Sequence, residues 1–170
     1  MRREDDALET LQSVVSRTTM AANPKLMLRA FATIALCYSR MDRAEMSYNL
    51  LADALRQAKR HPSFSLSYNY LWILELAAFY AEHGFPPLPG IDLDTLLREA
   101  ETSPSPMMRG HALRLKAILL RNTSPQEALK LLDASLATLK DAAMPIEYGF
   151  GQRRRSEILS VLGREEEAQE

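Results

Sequence analysis

Three consecutive arginines, Arg153, Arg154 and Arg155, precede Glu157 in "GQRRRSEIL" and form the strongest polar feature of the sequence. Successive helical residues turn by about 100°, so the three guanidinium groups fan over more than half of a helix circumference. At least one must therefore face a groove or a neighbouring element. Glu157 follows Arg153 by four residues and Arg154 by three, the spacings at which helical side chains meet. Two chemistries fit this pattern: a solvated face paired within itself, or guanidinium forks offered to an anion or acidic partner.

Other chemically capable residues read as structural. Asp92 and Asp94 head "IDLDTLLREA", where an N-cap and a first-turn acid suit the helix dipole better than acid–base catalysis does. His61, His83 and His111 are scattered near turns and helix starts, so surface or capping roles are expected, with no shared metal. The single Cys37 sits among apolar residues and reads as a buried thiol of a reducing compartment. The stretch "SYNYLWILELAAFY" is rich in aromatics but holds no Lys or Arg, and base-stacking platforms interleave the two. Tyr70 and Ile73 fit a core stripe, and Trp72 is expected to pack at a hairpin junction or to line a partner pocket.

The sequence has no GxxxxGK[ST], GxGxxG, HExxH, GxSxG or CxxC pattern. No catalytic residue, cofactor or metal is therefore expected, and the chain is read as a non-enzyme. Lys and Arg total 21 against 22 acidic residues, a net charge of −1. No whole-chain field draws the protein to nucleic acid or to an anionic membrane. No stretch approaches the roughly 18 uninterrupted apolar residues of a membrane span, and "MRREDDALE" runs into polar residues instead of a secretory core. A cytoplasmic location is expected.

The elements that position these residues are helical. Leu and Ala outweigh the β-branched residues, which favours helix. Asn23-Pro24, Ser105-Pro106 and Ser124-Pro125 place a capping residue before a first-turn proline, and Pro145 is a further helix start. "SPQE" at Ser124–Glu127 has the form of a capping box, in which Ser124 accepts from the Glu127 amide and the Glu127 side chain reaches back. Ser63 is a further cap, while Gly84, Gly90 and Gly163 mark breaks. Between them apolar residues recur at helical spacing: Met27, Phe31, Ile34 and Tyr38, then Leu51, Ala54, Leu55 and Ala58, then Leu66, Tyr70, Ile73 and Ala77. The pattern continues through Leu93, Leu97 and Ala100, then Met108, Ala112 and Leu115, then Ala128, Leu132, Leu136 and Leu139.

Turns at Asp42, Gly84, Thr123 and Gly163 are spaced by 42, 39 and 40 residues. A period of about 40 residues with two helices each predicts an all-α fold, a right-handed α-α superhelix whose units hide apolar faces by stacking. The expected array covers 1–170, with a lone helix at 5–21 and hairpins at 24–60, 64–102, 105–142 and 145–170. Because the last hairpin stops early, with Ile158, Leu159 and Leu162 short of a covering helix, the chain reads as a fragment of a longer protein. A homodimer through exposed repeat ends would cover such a surface.

The large residues four before each turn (Tyr38, Tyr80, Leu119, Leu159), the small residues five after (Ser47, Ala128, Ala168), and the pairs Ala54-Leu55 and Ser135-Leu136 resemble tetratricopeptide repeats. The resemblance is to the lengthened repeats of bacterial signal-transduction ATPases and transcription activators, and covers about residues 26 to 170. The insertion "FPPLPGIDLD" and the polar "GQRRRSE" depart from the pattern. The resemblance implies a concave surface lined by first helices: Arg29, Ala32, Leu36 and Arg40, then Leu71, Leu74, Ala78 and Glu82, then Leu113, Ala117 and Arg121, then Phe150, Arg153 and Glu157. Ala32 and Leu36 stand where clamps for a terminal carboxylate carry Lys and Asn, which argues against chaperone-tail binding. The implied function is a protein-interaction or signal-sensing module of a larger bacterial regulator, transcriptional in kind. The alternative is a small-molecule effector domain using the same groove.

Overall fold

The computed structural model describes residues 9, 10, 13, 24–61 and 71–168. Among them eight helices and no strand occur: α1 (Pro24–Arg40), α2 (Ala44–Lys59), α3 (Leu71–Glu82), α4 (Leu93–Glu101), α5 (Pro106–Leu120), α6 (Pro125–Asp141), α7 (Pro145–Val161) and α8 (Glu165–Ala168). The all-α expectation holds for these residues. The lone helix expected over 5–21 lies outside them except for helical backbone at Glu9, Thr10 and Ser13, and so do the cap at Ser63 and the stripe residues Leu66 and Tyr70.

Helices α5, α6 and α7 each begin on the expected proline, whose missing amide proton leaves no unsatisfied donor in a first turn. The caps differ from expectation. Neither Ser105 nor Ser124 makes a side-chain capping bond. The Ser124 amide donates instead to the Leu120 carbonyl at 2.8 Å, so the Glu127 side chain has no free donor to reach back to and the capping box does not form.

Three of the four repeat turns share one backbone solution. Asp42, Gly84 and Gly163 have φ of 58°, 74° and 71°, the left-handed conformation that ends a helix. In each the next amide returns to the carbonyl five residues earlier: Arg43 to Tyr38, Phe85 to Tyr80 and Arg164 to Leu159, all at 2.9 Å. The fourth turn, at Thr123, is built differently, with the Thr123 and Ser124 amides both bonded to Leu120 and no left-handed residue. The sequence period thus joins turns of two backbone types.

The chain divides into two compact units, Met1–Asp92 and Leu93–Glu170, the boundary falling within the 64–102 span. In the first, α1 packs against both α2 and α3, around Leu28, Ala35, Leu51 and Leu55, all without solvent exposure. In the second, α5 packs against α4 and α6, α6 against α7, α7 against α8, and α5 also touches α7. Its core joins Ala117, Ala128, Leu129, Leu132, Ile158 and Leu159, with Leu162 and Ala168 packed on it. Ile158 and Leu159, expected to lie open for want of a covering helix, are therefore buried, because α6 and the first turn of α8 already cover them. The Ser156 hydroxyl donates to the Ala168 carbonyl at 2.7 Å and ties α8 back to α7.

Candidate functional site

In each unit a first helix lies beside the next first helix, α1 beside α3 and α5 beside α7, and the candidate contacts fall on these four. In the first unit Arg29 and Arg40 are exposed, while Leu36, Leu71 and Glu82 are partly buried. Ala32, Leu74 and Ala78 are 1% exposed and belong to the core. They cannot touch a partner without unpacking the unit, which removes Leu74 from the candidate contacts. The guanidinium of Arg29 sits 5.4 Å from the centre of the Trp72 ring, bridging α1 and α3 at the surface. Trp72 itself is 42% exposed, so it is not a core residue. A cation over an indole face at an exposed site is worth about 0.5–1 kcal/mol.

Behind this surface an aromatic group fixes α3. Tyr80 stacks edge-on to Tyr48 at 5.3 Å and to Phe85 at 5.7 Å, and Tyr48 lies against Phe85 at 5.2 Å. The Ser47 hydroxyl donates to the Ala35 carbonyl at 2.6 Å, which leaves its oxygen to accept from the Tyr80 hydroxyl at 2.6 Å. Burial pushes the Tyr80 phenol up to about 12, with the Ser47 hydrogen bond opposing that rise.

In the second unit Ala117 is fully buried and Leu113 partly so, while Phe150 is 50% exposed. Three of the expected residues come together. Glu157 receives Arg121, the C-cap residue that follows α5, its Nη1 3.3 Å from Oε2. It also receives Arg154 Nη1 at 2.7 Å and Arg153 Nε at 3.5 Å. Three guanidinium groups share one carboxylate, and of the α7 pair Arg153 and Arg154 one positive charge is left in excess of Glu157. Arg155 turns the other way and donates from Nε to Asp133 Oδ1 on α6 at 2.9 Å. The arginine run therefore splits its tasks: one side chain staples α7 to α6, and two join a cationic surface cluster with Arg121.

Sequence reasoning missed two features here. His111 is 6% exposed and Arg114 5% exposed, so His111 has no surface role. Arg114 Nη2 lies 3.0 Å from His111 Nδ1; a guanidinium only donates, so Nδ1 accepts and the imidazole proton sits on Nε2. The signal was present, since His111 precedes Leu115 by four and Ile118 by seven on the buried stripe of α5. Ile146 was also passed over, although its spacing to Phe150 marks the two as neighbours.

The chain matches no protein-family model, no curated protein and no solved structure. Among the described residues, no group of three or more His, Cys, Asp or Glu is arranged to hold a metal ion, and no helix is long and apolar enough to cross a membrane.

Proposed function

We propose that this chain is a protein-interaction or signal-sensing module of a larger bacterial regulator, transcriptional in kind and cytoplasmic. It acts by binding and not by catalysis. In this reading its hairpins continue one right-handed α-solenoid of tetratricopeptide type, with a period of about 40 residues. The observation that carries the reading is the repeated pairing of first helices, α1 with α3 and α5 with α7, with α1 backed by α2, α5 by α6 and α7 by α8. That pairing supports a surface built from every other helix, and such surfaces hold extended or helical segments. The cationic cluster on α5 and α7 and the Arg29–Trp72 pair on α1 and α3 supply polar and aromatic contacts of the kind enriched at interfaces.

The test is site-specific photocrosslinking in cells. A crosslinker at Arg29 or Arg153, on first helices, is expected to trap one discrete protein, whereas one at Asp53 or Lys130, exposed on second helices, is not. Equal or absent crosslinking from both sets would refute the reading. A small-molecule effector would instead raise the melting temperature without any crosslinked protein.

A further inference from the structure

We infer that the outer face of α7 docks an acidic, amphipathic segment of a protein partner, a large apolar side chain resting on Ile146 and Phe150 and carboxylates reaching Arg153 and Arg154. The inference rests on the interaction-module reading above and names the chemistry of the partner. Ile146, Phe150, Arg153 and Glu157 fall at i, i+4, i+7 and i+11, which places them on one side of the helix. Ile146 is 68% exposed and Phe150 50%, both among the large apolar side chains that this protein leaves in water. On the same side, toward the helix C-terminus, the Arg153 side chain is 82% exposed and that of Arg154 35%. The stripe thus changes from apolar to cationic along its length.

Charge decides between the occupants such a stripe could take. Arg153 and Arg154 carry two positive charges against the single carboxylate of Glu157, while the whole chain carries −1. The excess is local and small. A nucleic-acid strand needs a track of cations interleaved with stacking rings, and the aliphatic Ile146 supplies neither. A carboxylate pair suits planar guanidinium forks, and an apolar side chain beside it suits Ile146 and Phe150.

Glu157 gives the site a particular behaviour. Its carboxylate already holds Arg154 at 2.7 Å and Arg121 at 3.3 Å, whereas Arg153 is held most loosely, at 3.5 Å. Glu157 therefore competes with an incoming carboxylate for Arg154 while leaving Arg153 open to it. A surface cluster that served stability alone would lose by removal of Glu157; a docking site for acids gains.

The probe is a short fluorescent peptide with Leu and Phe on one helical face and Asp and Glu on the other, titrated against the whole chain by anisotropy. A matched peptide carries Asn and Gln in place of the acids. Saturable binding of the acidic peptide, about tenfold or more tighter than the amide peptide, is expected, as is weakening between about 50 and about 500 mM salt. Arg153→Glu should weaken it about tenfold, and Glu157→Gln should tighten it severalfold. Phe150→Ser should weaken it by a factor that salt does not change. Circular dichroism and melting curves confirm that each variant is folded. The inference is overturned by absence of saturable binding, by equal binding of the two peptides, by indifference to Arg153→Glu or Phe150→Ser, or by tighter binding of single-stranded oligonucleotide than of the acidic peptide. If the acidic peptide fails while crosslinks from position 153 to a protein persist, only this inference falls; if both fail, the interaction-module reading falls with it.

Discussion

The hairpin α1–α2 and the hairpin α5–α6 bring their helices together by the same local device, placed at opposite ends. In the first, Ser47 sits just after the turn and donates to the Ala35 carbonyl across it; in the second, Ser135 lies far from the turn and donates to the Gly110 carbonyl, each bond measuring 2.6 Å. A small side chain lets the backbones approach, and its hydroxyl satisfies itself on a carbonyl that still has a free lone pair. The surroundings differ. The Ser47 oxygen also takes the Tyr80 hydroxyl, linking the hairpin to α3, whereas the Gly110 site is closed by the Leu139 side chain. The first crossing is a polar relay between three helices, and the second is a tight apolar contact with no slack.

The largest expected effect is at that second crossing. A Cβ on Gly110 would stand 2.6 Å from Leu139 Cγ and 2.7 Å from Cδ2, in a region where Leu139 is fully buried. Gly110→Ala should therefore destabilise by about 1–3 kcal/mol, the range for overpacking a core. At Gly151 the added carbon would meet chiefly the end of the Leu136 side chain, at 2.7 Å. Gly151→Ala should come out near neutral, because the gain in helix propensity, about 1 kcal/mol, offsets a small shift of Leu136. Urea midpoints of the two variants that coincide would remove the distinction between the Gly110 and Gly151 contacts.

Next come the hydroxyls. Ser47→Ala should cost about 2 kcal/mol, because it leaves the buried Tyr80 hydroxyl without the oxygen it donates to. Ser135→Ala removes a single bond to a helical carbonyl and should cost about 1 kcal/mol or less. Combining Ser47→Ala with Tyr80→Phe should recover most of the first loss. Full additivity in that double-mutant cycle would show that the relay does not couple α2 to α3.

Alkaline titration separates the relay from the apolar contact more finely. The folded Tyr80 phenol, near 12, lies above the ordinary value of 10.0. Its contribution is fully present below pH 10 and is lost as pH rises through 12, since the unfolded chain ionises first. At about pH 11 the wild-type chain should have lost about 1 kcal/mol more than Tyr80→Phe. Parallel alkaline profiles for the two proteins would contradict the burial of the phenol.

These contrasts also show what the sequence made legible. The turns at Asp42, Gly84 and Gly163 could be found because a left-handed residue after an apolar helix restricts residue type. The large residues four before them, Tyr38, Tyr80 and Leu159, were placed by the repeat resemblance; their carbonyls close those turns, a role that any residue type can fill. The turn at Thr123 kept the period without the geometry, so the capping box read from "SPQE" had no free amide to use. Ser47 and Ser135 were visible as small residues, but their hydroxyl bonds depend on which carbonyl a neighbouring helix presents, and no local pattern encodes that. The burial of Arg114 and His111 was hidden by the ordinary preference of charged residues for water. Of the surface residues, Arg121, Arg153 and Glu157 were placed on one surface by the repeat resemblance, whereas the burial of Leu74 followed from how closely helices pack around it.

The smallest expected effect tests the turns themselves. Two residues other than glycine adopt positive φ among the described residues, Asp42 at 58° in the first unit and Ala143 at 53° in the second. Asp tolerates this region because its short polar side chain can bond locally, but alanine has no such compensation and its Cβ crowds the following carbonyl. The Ala143 turn is otherwise complete: the Ala143 amide donates to Lys140 and the Met144 amide to Leu139, both at 3.0 Å. Glycine at this position would relieve the crowding while giving back part of the gain as entropy of the unfolded chain. Ala143→Gly should therefore stabilise by about 0.5–1 kcal/mol, whereas Asp42→Gly should gain less or nothing. Both are read as shifts in the urea midpoint at unchanged slope, which confines the effect to stability. Should Ala143→Gly lower the midpoint, Ala143 would have to be helical or extended in solution, and the turn joining α6 to α7 would need another closure.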